Sequence, residues 1–138
     1  MASIITNRFF FNCLNALSGH TIKAAILANT YTPDVDHNTW ADVSANEISS
    51  AGYTAGGQTL ANLAVTQDDT GDKAVLDCDD LTWSGVTLTD ARYLVIYDTS
   101  NADNIIAVYD FGTDQVITAG TFQVSINALG LLSLAQAT

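Results

Sequence analysis

The sequence predicts a mainly β protein: an antiparallel β-sandwich or barrel-like domain with a short N-terminal helix. Three observations lead there. Beyond residue 57, short apolar or alternating runs recur with polar turns between them, the pattern of antiparallel strands. Gly52–Leu60, GYTAGGQTL, carries a Gly56-Gly57 pair that reads as a tight turn, because only glycine takes positive φ at both positions without steric cost. Phe10, Cys13, Leu14 and Leu17 fall at i, i+3, i+4, i+7, the spacing of one apolar helix face.

Taken in order, residues 7–17 are expected as a short amphipathic helix, with Thr6 or Asn7 to cap its start and Gly19 to stop it, and a strand beginning near Ser3 is the alternative. TIKAAILAN, 21–29, is an apolar run of strand length, and it ends at Thr32-Pro33-Asp34. Pro33 is the sole proline and marks a break. DHNTWADV, 36–43, is loop or one helical turn, and 47–50 is a short strand before the glycine corner. After the corner, strands are expected at 60–67, 73–78, 81–88, 91–98, 104–111, 121–127 and 130–134. The turns between them are DDTGD, Asp79-Asp80, Thr89-Asp90, TSNAD and the Gly112–Gly120 segment. The runs 91–98 and 104–111 are apolar on both faces, which suits the middle of a layered structure or a subunit interface, and they are expected as a central hairpin. Lysine and proline, the usual guards of strand edges, are scarce, so pairing between copies is expected.

At 138 residues the chain fits one domain, 1–138. Apolar residues make up 48% and charged residues 14%, which excludes a disordered chain. The few charges also leave room for part of the surface to be covered by neighbouring copies. Fifteen acidic residues face only Arg8, Lys23, Lys73 and Arg92, for a net charge of −11. That balance repels phosphate backbones and anionic membranes, so neither nucleic acid nor membrane is expected as a partner. The FFF run at 9–11 is broken by Asn12 and Asn15, too polar for a signal peptide and too short to span a bilayer.

Tests for chemistry fail one by one. GYTAGGQTL lacks the Lys-Ser/Thr ending of a phosphate-binding loop. His20 and His37 have no GxSxG or Cys-His pattern around them and read as structural. Cys13 and Cys78 have no CxxC spacing and no adjacent histidine, so they give no zinc signature. Two buried free thiols are expected, with a disulfide as the alternative. The clusters Asp68-Asp69-Asp72 and Asp77-Asp79-Asp80 match no EF-hand loop, and Asx turns account for the DDTGD residues without an ion. Trp40, Trp83 and five tyrosines could stack sugars, but sheet packing explains them equally well. No catalytic, cofactor-binding or metal-binding residue is assigned, and an enzyme is not expected.

Several segments in order resemble a family of small virion structural proteins of tailed bacteriophages. They are HTIKAAILA at 20–28, WADVSANEISSAGYTAGGQTLA at 40–61, DCDDLTWSGVTLTDARYLVIYDTS at 77–100 and IIAVYDFGTDQVITAGTFQVSINALGLLSL at 105–134. The resemblance implies a structural role without catalytic residues. It suits a capsid decoration (cement) protein on the capsid exterior, whose partners are the major capsid protein and copies of itself, as a trimer. A short fibre, a tail-associated part or a carbohydrate-binding adhesion module of the virion is the alternative. The expected interface is the N-terminal Phe9, Phe10 and Phe11, the loop at Trp40, and the C-terminal Leu131, Leu132 and Leu134. Apolar ends that complete the domain's own core are the competing reading of these residues.

Overall fold

The computed structural model describes residues 3–137. The chain forms two compact units. One is built from the N-terminal segment through His20, from Ala61–Leu81 and from the chain after Ser125; the other from Thr21–Leu60 and Thr82–Val124. Strand dominates both, in two antiparallel sheets with a short N-terminal helix, as the sequence predicts.

In the first unit, helix α1 spans Asn7–Asn15, and Thr6 caps it by accepting from Phe9 N at 3.4 Å. Its sheet has the order β3 (Ala64–Asp68), β4 (Lys73–Asp77), β7 (Leu132–Ala135). Alternation along the central strand β4 buries Ala74 and Leu76 completely, and these meet Phe10 and Leu14 of α1. Phe11, Leu17, Leu63, Val65 and Leu132 close the cluster. Cys13 corrects one expectation: it is exposed, on the flank of the helix away from Phe11, so the buried stripe is narrower than the sequence spacing suggests. Cys78 is buried, and both thiols are free.

The second unit holds a sheet ordered β2 (Gln58–Thr59), β1 (Ile22–Ala28), β5 (Leu81–Asp98), β6 (Asn104–Val124). β1 and β5 pair from Ile22↔Asp98 to Leu27↔Tyr93, then slip one place at a bulge to Ala28↔Ala91. One face of this pair carries Ala25, Leu27, Val95 and Tyr97, and Tyr31 and Val43 complete the core on that side. The opposite face carries Ile22, Ala24, Ile26, Leu94 and Ile96, none more than 2% exposed. Burial on both faces of 91–98 is what its unbroken apolar pattern requires.

Several boundaries differ from the sequence reading. The runs 81–88 and 91–98 are one strand of 18 residues, because Thr89-Asp90 stays extended and Asp90 O accepts from Asn29 N at 2.9 Å. The run 104–111 and the run from 121 as far as Val124, where the strand ends, likewise fall in one strand, β6. Gly112 takes φ +84 there and donates to Asp110 Oδ1 at 2.7 Å, so the glycine kinks the strand instead of ending it. The expected strand 47–50 reduces to a single bridge, Leu27↔Glu47, after a short 3₁₀ turn at Ser44–Asn46. β5 and β6 do form a hairpin, but only β5 is interior; β6 lies at the edge.

Candidate functional site

The glycine corner is a hydrogen-bonded staple. Glu47 Oε1 accepts from Tyr53 Oη at 2.8 Å and from Gly56 N at 2.6 Å. Tyr53 Oη in turn accepts from Ile26 N at 3.0 Å, and Tyr97 Oη donates to Gly56 O at 2.7 Å. The corner leaves through Gln58 and Thr59, which pair with Ala24 and Lys23. Gly57, at φ +72, lies so close to β1 that a Cβ would overlap the Ala24 carbonyl oxygen. Burial, reinforced by the Glu47 charge, raises Tyr53 well above the ordinary phenol range and pushes Tyr97 up to about 12. Both phenols are therefore neutral at physiological pH and act as hydrogen-bonding struts.

The acidic turns are also spent on structure. Asp68 Oδ1 accepts from Thr70 N at 3.1 Å and Gly71 N at 2.8 Å, an Asx turn. Asp69 accepts from Gln67 and Asn7 side chains, which hold its carboxyl below the usual range. Asp79 Oδ2 takes Asn62 Nδ2 at 2.6 Å, and Asp80 Oδ1 takes Ile126 N at 2.8 Å. Burial pushes the Cys78 thiol up to about 11, with help from Asp77, Asp79 and Asp80, which makes it a poor nucleophile. His37 Nδ1 lies 3.0 Å from Tyr31 Oη, and His20 N donates to Leu17 O in the turn after α1. Among the described residues no group of three or more His, Cys, Asp or Glu side chains could hold a metal ion.

The tryptophans are committed to packing. Trp83 is 7% exposed and stacks on Phe122 with centroids 5.9 Å apart. Trp40 opens the short helix α2 (Trp40–Val43) and lies flat on Tyr97 at 4.6 Å and 10°, so one of its faces is covered. A sugar platform needs an open ring face, and Trp83 offers none.

The structure places the predicted interface residues in different settings. Phe10 and Leu131 are buried and Phe11 and Leu132 half-buried; Phe10, Phe11 and Leu132 share the α1–β4 cluster. Leu131 N donates to Leu76 O at 2.8 Å, which fixes the entry to β7. Phe9 is 57% exposed and Leu134 37%, so these two present apolar surface. Trp40 belongs to the other unit and stands half-buried against its core.

The feature that sequence reasoning placed elsewhere is the edge strand. β6 runs 21 residues with no lysine, arginine or proline. Natural sheets guard long edges with such residues. Its first half, Ile105–Tyr109, is half-buried; its second half is largely open, with Val116 69% exposed. Arg92 forks onto Asp110, Nε to Oδ1 at 2.6 Å and Nη2 to Oδ2 at 3.3 Å, and reaches Asp114 at 3.7 Å. This ties the hairpin across its strands and lowers Asp110 while raising Arg92. Beside the strand, Tyr31, Pro33, Val35, His37, Ile105 and Val108 line an open groove of about 450 Å³. The absence of guards was the available signal, while the two apolar faces of 104–111 pointed to a central strand. No protein-family model, curated protein or solved structure matches this chain.

Proposed function

We propose that this chain is a structural protein of a tailed-bacteriophage virion, a decoration (cement) protein that binds the outside of the assembled head. It acts by protein–protein contact with the major capsid protein and with copies of itself, without chemistry. The observation that carries the reading is β6, a long strand edge left without guard residues on a chain whose polar groups are spent on internal turns and struts. Such an edge favours binding by strand and surface complementarity. The ordered resemblance in sequence supports the particle as the setting.

The physical demands of the role fit the composition. A shell-bound protein holds on by area and by repetition over a symmetric lattice, where many weak contacts act together. Interface cores are poor in charge, and this chain carries few charges. The net charge of −11 keeps decorated particles apart in solution. The test is cosedimentation of the purified protein with native heads that lack it, followed by a map of the decorated particle. Saturable binding at symmetric sites on the head exterior is expected. A protein that never cosediments with heads overturns the reading, and density on tail or fibre moves it to another part of the virion.

A further inference from the structure

We infer that the exposed Arg8-Phe9 pair on α1 of one copy docks into the groove beside Asp34 and Ile105 of a second copy. The inference rests on the self-association within the reading above and needs no shell. Both halves of the contact are on the chain. Phe9 is 57% exposed in the first turn of α1, and Ile4, just ahead of the helix, is 88% exposed. Arg8 stands beside Phe9 in sequence, and of the four basic residues it alone is exposed. Lys73 lies 3.9 Å from Asp68, Arg92 is tied to Asp110 and Asp114, and Lys23 is half-buried in β1. The Arg8 guanidinium sits 4.6 Å from the centre of the Phe11 ring and has no carboxylate partner among the described residues.

The groove is the complement of that pair. Pro33, Val35, Ile105 and Val108 give its roughly 450 Å³ an aliphatic wall, with room for an aromatic side chain. Asp34 lines the groove and Asp36 stands two residues on, both exposed. Asp34 Oδ1 accepts from Asp36 N at 2.9 Å, while Asp34 Oδ2 and the Asp36 carboxylate have no partner among the described residues. No lysine or arginine is among the residues that line it. Charge therefore selects the occupant: carboxylates without a cation on one surface answer an exposed cation without a carboxylate on another. Arginine and aromatic side chains are also the residues that protein interfaces gather at their cores. At physiological salt, charges more than about 8 Å apart are largely screened, so this local pairing outweighs the net charge of −11. Nucleic acid is repelled by Asp34 and Asp36. A sugar finds no platform, because Tyr31, whose ring would have to carry it, is only 4% exposed. The patch and the groove are different surfaces, so each copy gives one and receives one, as a reciprocal dimer or a closed ring.

The experiment measures the mass of the full chain by light scattering over a concentration series, for wild type, Arg8→Glu, Asp34→Lys and the double variant. Both side chains are exposed, so each variant keeps the fold, which circular dichroism checks. The wild type is expected above the monomer mass. Each single variant sets like charges face to face and should raise the dissociation constant by about tenfold or more. The double variant exchanges the charges and should restore assembly. Asp34→Lys also releases Asp36 N, so recovery in the double variant shows that charge, not loop shape, is being read. A monomeric wild type leaves the groove to a basic segment of another protein and overturns the inference. Single variants that assemble like the wild type, or a folded double variant that stays apart, overturn it as well. Head cosedimentation run in parallel separates the two readings. An assembly that obeys the charge exchange but ignores heads leaves the contact standing and overturns the decoration role, and a head-binding monomer does the reverse.

Discussion

Tyr53 donates its hydroxyl hydrogen to Glu47 Oε1 at 2.8 Å while its oxygen accepts from Ile26 N at 3.0 Å. One phenol thus joins the glycine corner, the turn before it and the middle of β1. Without it, the Ile26 N–H would be a donor at the centre of a buried strand with no ladder partner on that side.

Tyr53→Phe should therefore cost about 1–3 kcal/mol, the range for stranding buried polar groups. Urea unfolding followed by fluorescence measures it. Tyr97→Phe removes one bond to Gly56 O and should cost less. Equal stability of wild type and Tyr53→Phe would show the staple to be redundant.

Gly56 and Gly57 are adjacent and both at positive φ, yet they should respond differently to alanine. A Cβ on Gly56 meets only Tyr97 Oη at 3.5 Å and Lys23 Nζ at 3.7 Å, ordinary contacts. Gly56→Ala should cost only the conformational penalty of about 1–2 kcal/mol. Gly57→Ala adds an overlap with the Ala24 carbonyl and must push β2 off β1, so its loss should be clearly larger. Comparison of the two midpoints in one denaturant series decides it.

Stability should fall at high pH. The folded state holds the phenolic protons of Tyr53 and Tyr97 above the ordinary value near 10, with Tyr97 at about 12, and Tyr31 is raised as well by burial. The unfolded chain releases these protons first. Their contribution is complete below pH 10 and drains away as pH rises from 10 towards 12. Absorbance at 295 nm should show a late tyrosine fraction that ionises together with unfolding. Tyr53→Phe should flatten the decline between pH 9 and 11.5; an unchanged slope would contradict the assignment.

Local chemistry made much of this fold legible. Thr6, the spacing of Phe10, Leu14 and Leu17, and the apolar run at 22–28 named α1 and β1 to within two residues. The DDTGD turn is the Asx turn its residues specify. What escaped was decided by tertiary pairing. Thr89-Asp90 and Gly112 carry turn chemistry, but the hairpin keeps Thr89-Asp90 extended within β5 and takes Gly112 up as a kink within β6. Glu47-Ile48 has strand composition, yet the Glu47 carboxylate is drawn into the corner. The edge position of β6 depends on strand order, which no local pattern encodes. The missing guard residues were its trace in sequence, while the two apolar faces of 104–111 pointed to a central strand.

The exposed Phe9 and Leu134 separate interface from core. Deleting residues 130–138 would remove β7, leave β4 unpaired on one side and strip Leu132 from the α1 cluster, so it tests folding and nothing else. Phe9→Ser and Leu134→Ser remove partly covered apolar groups, 57% and 37% exposed, and should each cost about 1 kcal/mol. Phe10→Ala empties a buried site and should cost about 3–5 kcal/mol. If these residues meet the shell, the two serine variants should weaken head cosedimentation by about tenfold, roughly 1.4 kcal/mol, at a temperature where both remain folded. Undiminished binding by the double serine variant would remove the N- and C-terminal residues from the interface and leave them to the core of their own unit.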